Sequence, residues 1–145
     1  MKFKLLNNEG QKTYAVVLDS GDSVMDCLNE FAKSQQLHAA AFTAIGAFSE
    51  ATVGFFNFSK KDYTKISVPQ QTEVLTMTGD ISLYKNTPKI HAHVVLGKED
   101  GATVGGHLIK AIAHPTLEII LTESPAWLER EMDEESGIPL IAIEP

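Results

Sequence analysis

A single cysteine, Cys27, excludes an internal disulfide and suits the reducing conditions of a cytoplasm, the expected location. No stretch approaches the ~20 apolar residues that a membrane-crossing helix requires. The opening MKFKLLNNEGQK carries an apolar run too short for a secretory signal. Positive charge is also scarce, with 12 Lys and Arg against 19 Asp and Glu and a net charge of -7. A nucleic-acid binder displaces counterions with a positive surface, so specific DNA binding is disfavoured. The small clusters Lys60, Lys61, Lys65 and Lys85, Lys89 read as solvated loops. The chain has no G-x-S-x-G, no Gly-rich phosphate loop and no Cys-x-x-Cys. Nothing in the sequence sets a nucleophile beside a base. Repeats, low-complexity stretches and linkers are missing as well, so residues 1–145 are expected to form one domain with a real core.

What the chain does have is the stretch from Lys89 to Lys110, KIHAHVVLGKEDGATVGGHLIK. Ile90, Ala92, Val94 and Leu96 alternate with His91, His93 and Val95, the period of a half-buried strand. The aliphatic set is the natural core face, so His91 and His93 share the other. Residues two apart on a strand lie roughly 6.5–7 Å apart, and two tilted imidazoles can reach one metal across that gap. Gly97 and Gly101 bracket a turn, and a direct return brings His107 beside the pair, with Gly105-Gly106 permitting close backbone approach. Three histidines without a fourth protein ligand form an open site that water or substrate completes. The competing reading is three imidazoles packed without metal at a subunit interface.

Elsewhere the pattern is strand-rich. Lys2–Leu6 and Tyr14–Leu18 read as strands, and Ser23 with Asp26 stands in capping-box spacing before a helix. Val24, Cys27, Leu28, Phe31 and Ala32 form its apolar stripe to about Gln36. Residues 39–45 and 51–58 read as separate strands joined by a turn at Gly46–Glu50. Glu73–Ile81 alternates, with Glu73 on the face of Leu75 and Met77. Leu108–Ala113 continues the return strand or a short helix until His114-Pro115 breaks it. Leu117–Thr122 and Gly137–Ile143 are strands, with a turn of helix at Pro125–Met132 between them. The expected class is α+β, with a mostly antiparallel, strongly curved sheet, one main helix and short flanking helices. Adjacent Phe55 and Phe56 must point to opposite faces of a regular strand, leaving one ring for another surface to cover.

In order along the chain, Ile45-Gly-Ala-Phe, Thr52-Val-Gly-Phe-Phe56, Glu73-Val-Leu-Thr-Met-Thr-Gly79, Ile90-His-Ala-His-Val-Val-Leu-Gly97, Gly105-Gly-His-Leu108, Leu117-Glu-Ile-Ile-Leu121 and Arg130 with Asp133 and Gly137 resemble the PPC domain (plants and prokaryotes conserved). The resemblance implies a mostly antiparallel sheet with flanking helices and a homotrimer. Plant members carry the domain behind an AT-hook, an Arg-Gly-Arg segment that this chain lacks. The PPC fold is itself similar to acetolactate decarboxylase, a zinc enzyme with three histidine ligands. That likeness implies His91, His93 and His107 as metal ligands, with zinc first among the transition metals.

Three functional readings follow. The first is a homotrimeric metal-binding protein with a binding or regulatory role and room for a small molecule at the metal. The second is a zinc-dependent lyase or decarboxylase, with Glu73 or Arg130 handling a proton or a carboxylate. The third is a DNA-binding regulator.

Overall fold

The computed structural model describes residues 1–124 and 126–143. The strands are β1 (Lys2–Asn7), β2 (Thr13–Asp19), β3 (Ala39–Asn57), β4 (Asp62–Val68), β5 (Thr72–Tyr84), β6 (Thr87–Gly97), β7 (Thr103–Glu123), β8 (Glu129–Met132) and β9 (Pro139–Ala142). Helix α1 spans Val24–Ser34. All strand pairs are antiparallel except a single β5–β8 bridge, Leu83 to Glu129. The architecture is α+β with one helix among the described residues, and the short flanking helices expected from sequence are not found there. No described helix is long and apolar enough to cross a membrane.

Two long strands organise the sheet. β3 pairs with β7 along nearly its whole length, β5 pairs with β3 and β6, and β6 returns to β7. The pairing therefore closes a ring, β3–β5–β6–β7, which removes the free edges of those strands. The sequence of residues 39–58 suggests two strands and a turn, but β3 runs straight through. Register shifts around Gly46 and Phe48 bend it instead of ending it. A side chain at Gly46 would collide with the Thr116 carbonyl, so only glycine permits that bend.

β7 likewise passes through His114-Pro115 without a break. Gly46 opposes Leu117 and Phe48 opposes Ala113, so Pro115 falls in a bulge where no ladder donor is needed. A bulge at Leu75, between Val74 and Thr76, corrects the expected phase of β5: Met77 is buried while Glu73 and Leu75 face out. The stretch read as a turn of helix after residue 125 is extended as β8, whose pairing with β9 lets Arg130 turn inward; Pro125 lies outside the described residues.

The core lies between α1 and the inner faces of the long strands. Val24, Leu28, Phe31 and Ala32 are buried on α1, with Cys27 partly buried against the same cluster. The helix starts after Ser23, whose side chain makes no capping bond, and it ends one turn's fraction earlier than the stripe suggested. Ile90, Ala92, Val94 and Leu96 of β6, with Leu117, Ile119 and Leu121 of β7, point into this core. That commitment drives the histidines of β6 to the opposite face.

Candidate metal centre

The hairpin places His93 directly opposite His107, while His91 and His93 oppose Asp80 and Thr78 of β5. His91 Nε2 and His93 Nε2 are 3.2 Å apart, and one ligand nitrogen from each of the three rings lies within 4.8 Å of the others. Tetrahedral ligation with bonds of ~2.1 Å sets ligand nitrogens about 3.4 Å apart. The β6 pair already meets that spacing, and His107 needs only a small side-chain adjustment. Close backbone approach makes this possible. A side chain at Gly105 would meet the Val94 carbonyl at 2.6 Å, and one at Gly106 would meet the Gly54 carbonyl at 2.6 Å.

His107 stacks on Tyr63 with ring centroids 4.5 Å apart, and its Nδ1 is buried without a hydrogen-bond partner among the described residues. An orphaned buried imidazole nitrogen is costly unless a group outside the chain completes it. Burial pushes the His107 ring down to about 4, reinforced by repulsion from His91, His93 and Lys89. Burial, then the neighbouring His91, also lowers His93. Neutral rings are the ligating form, so the donor set fits a borderline-soft divalent ion.

Behind His91 stands Asp80, with Oδ2 3.5 Å from His91 Nδ1. Arg130, only 7% exposed, donates from Nη2 to Asp80 Oδ1 at 2.7 Å, from Nε to Ser82 Oγ at 2.6 Å and from Nη1 to the Pro139 carbonyl at 3.0 Å. Arg130 Nη2 also approaches His91 Nδ1 at 3.5 Å. That nitrogen cannot accept from Arg130 and donate to Asp80 together. With Nε2 turned toward its fellow ligands, Nδ1 carries the proton and faces the carboxylate. Burial raises the Asp80 carboxyl, but hydrogen bonds from His91 and Arg130 and the guanidinium charge outweigh it and hold the group below its usual range.

Of the residues singled out from sequence, the fold brings His91, His93, His107 and Arg130 together. Glu73 lies elsewhere: it opposes Gly97 at the far end of β5, exposed, in a surface depression near Lys98 and Glu99. Sequence pattern alone does not mark Asp80. Its signal was its place two residues beyond Thr78 on the same β5 face, which becomes informative only once the β5–β6 register is known. Ser20 Oγ and His114 Nδ1 also meet, at 2.7 Å on the exposed surface, a pair the sequence had not set together.

Residues 6–125 match the Plants and Prokaryotes Conserved (PCC) domain. A metal-containing protein from Archaeoglobus fulgidus is 32% identical, with a TM-score of 0.84 over 99% of this chain and 100% of that one. A Ralstonia eutropha JMP134 protein, provisionally named DNA-binding, is also 32% identical, with a TM-score of 0.84 over 90% of this chain and 91% of its own. Bifunctional protein GlmU of Synechococcus sp. (strain JA-3-3Ab) is 27% identical over 92% of this chain, which spans only 21% of that relative's length. A Staphylococcus aureus protein similar to alpha-acetolactate decarboxylase shares the fold alone, at 12% identity and a TM-score of 0.59 over 87% of this chain and 55% of that one.

Proposed function

Because the chain belongs to the Plants and Prokaryotes Conserved domain family, we propose that it acts as a metal-binding protein in which His91, His93 and His107 hold one divalent transition metal per chain, zinc first. The observation that carries this reading is the convergence of three imidazole nitrogens within 4.8 Å. A metal bound there supplies a Lewis-acidic centre with a position left for water or a small molecule. The chain's own part is to keep His93 and His107 neutral by burial, to orient His91 with Nδ1 toward Asp80, and to fix Asp80 through Arg130. The A. fulgidus relative, named as metal-containing, supports the same reading.

The role we infer is binding or regulation, exercised as a homotrimer. Ile45, Leu75 and Val95 support self-association: they are 62%, 53% and 39% exposed where the registers of β3, β5 and β6 shift together. An apolar patch of this kind favours a partner surface. A lyase-type activity is the second reading, favoured by the open metal position beside Arg130, although Glu73 is too distant to serve it as acid or base. DNA binding rests on the provisional name of the R. eutropha relative. The net charge of -7 opposes it, and Lys61 of the basic cluster is engaged with the Glu134 carbonyl at 2.8 Å.

Elemental analysis of protein purified without a metal-chelating tag tests the proposal. The expected content is about one transition metal per chain, falling sharply in His93→Ala. Metal-free protein that also fails to take up zinc on titration would overturn it.

A further inference from the structure

Between the histidine triad and the β8–β9 hairpin lies a cavity of about 130 Å³. Lys89, Tyr63 and Arg130 line it beside His91 and His107, and Ile138, Pro139 and Leu140 of the C-terminal hairpin supply its apolar wall. Lys89 stands two residues before His91, on the same face of β6. The balance of charge here is one-sided. Arg130 is matched by Asp80, but Lys89 forms no ion pair among the described residues. Imidazole side chains bring no negative charge to offset a divalent ion at the triad. Arg130 commits three N–H groups to Ser82, Pro139 and Asp80, which leaves others of its five free. A cavity wall with surplus positive charge favours an anion.

We propose that this cavity binds a small aliphatic monocarboxylate, its carboxylate against Lys89 and a free N–H of Arg130 and its alkyl end against Ile138, Pro139 and Leu140. Size sets the class. The volume equals about four waters at ~30 Å³ each in the liquid, room for an acid of roughly two to four carbons. Inorganic phosphate fits by size and charge but leaves the apolar walls without a partner. The inference deepens the metal reading and rests on it for strength of binding, since a metal adds its charge to the same wall.

Calorimetric titration with propionate, on protein of measured zinc content and on the same protein stripped of zinc, tests it. Saturable binding is expected in both, tighter with zinc. Lys89→Gln, at an exposed position, should fold normally and weaken propionate about tenfold, the loss of one charge-assisted contact. Propionamide and inorganic phosphate should bind more weakly than propionate. Zinc-loaded protein that shows no propionate binding overturns the inference while leaving the metal reading intact. Binding unchanged in Lys89→Gln, or phosphate bound as tightly as propionate, overturns it too. Failure to load zinc while stripped protein still binds propionate through Lys89 overturns the metal reading and keeps the carboxylate site.

Discussion

Arg130 donates to Asp80 Oδ1 at 2.7 Å while the other oxygen of that carboxylate faces His91 Nδ1 at 3.5 Å. A residue of the C-terminal hairpin thus sets the orientation of a ring on β6, through a carboxylate on β5. The hairpin also meets β5 through Arg130 Nε, which donates to Ser82 Oγ at 2.6 Å, and through the Leu83–Glu129 bridge, while Leu83 N–H donates to the Leu128 carbonyl just before it at 2.7 Å.

Asp80→Asn and Arg130→Met should therefore weaken zinc binding by about 10–100-fold with all three ligands in place, the usual effect of losing a group that orients a metal-bound histidine. Competition against a chromophoric chelator reads the affinity. Glu73→Gln, altered at the far end of β5, should leave it unchanged. Equal affinity in all three variants would show that the carboxylate does not position His91.

Gly105→Ala and Gly106→Ala place a methyl group 2.6 Å from the Val94 and Gly54 carbonyls, between β7 and its two neighbours. Backbone cannot yield as a flexible side chain can, so each change should destabilise the fold by about 1–3 kcal/mol. The shift displaces His107 from its partners as well, so zinc affinity should fall along with stability. Urea unfolding and chelator competition on the same samples test the two effects. A Gly101→Ala control sits in open space, and its cost is confined to backbone strain at φ +80°.

The pH dependence follows from the same burial. Burial holds His107 at about 4 in the folded chain, whereas a histidine in the unfolded chain titrates near ~6.5. Between those values the unfolded state binds a proton that the folded state lacks. The His107 contribution to the stability of the metal-free protein is thus fully present above ~6.5 and is lost as pH falls toward about 4. Ring-proton NMR of the metal-free protein should find His107 neutral until about pH 4. A midpoint at the ordinary histidine value would contradict the burial argument.

The pattern of β6 was readable from sequence because alternation is decided by one strong force: four aliphatic side chains seek the core and carry the two histidines to the other face. The place of His107 beside that pair was readable because glycines bracket the turn. The departures occur where tertiary pairing overrode local punctuation. Gly46 and Pro115 are ordinary stop signals, yet both lie at the register shift between two continuous strands, Gly46 opposite Leu117 and Pro115 in the unpaired stretch before it. Leu75 occupies another bulge, which reversed the phase of β5 and sent Glu73 outward. Asp80 and Arg130 come from segments about fifty residues apart, and no local periodicity could have joined them.

Assembly supplies the last test. Phe55 is 68% exposed, while the adjacent Phe56 turns to the other face and meets Tyr63, with ring centroids 5.1 Å apart. Tyr63 in turn stacks on His107, so the Phe56 side of β3 leads to the triad and the Phe55 side leads away from it. Ile45, Leu75 and Val95 add a second exposed apolar group. Water solvates such patches poorly, and a closed ring of identical subunits buries them without exposing a new edge. Light scattering coupled to size exclusion should give about three chain masses at micromolar protein and at high dilution. Leu75→Glu places a charge in the patch while keeping the bulge, and it should shift the mass toward the monomer without altering the three ligands. If the patch is an interface near the triad, zinc affinity should fall with dissociation. A monomer mass for the unmodified chain at every concentration would reject the trimer.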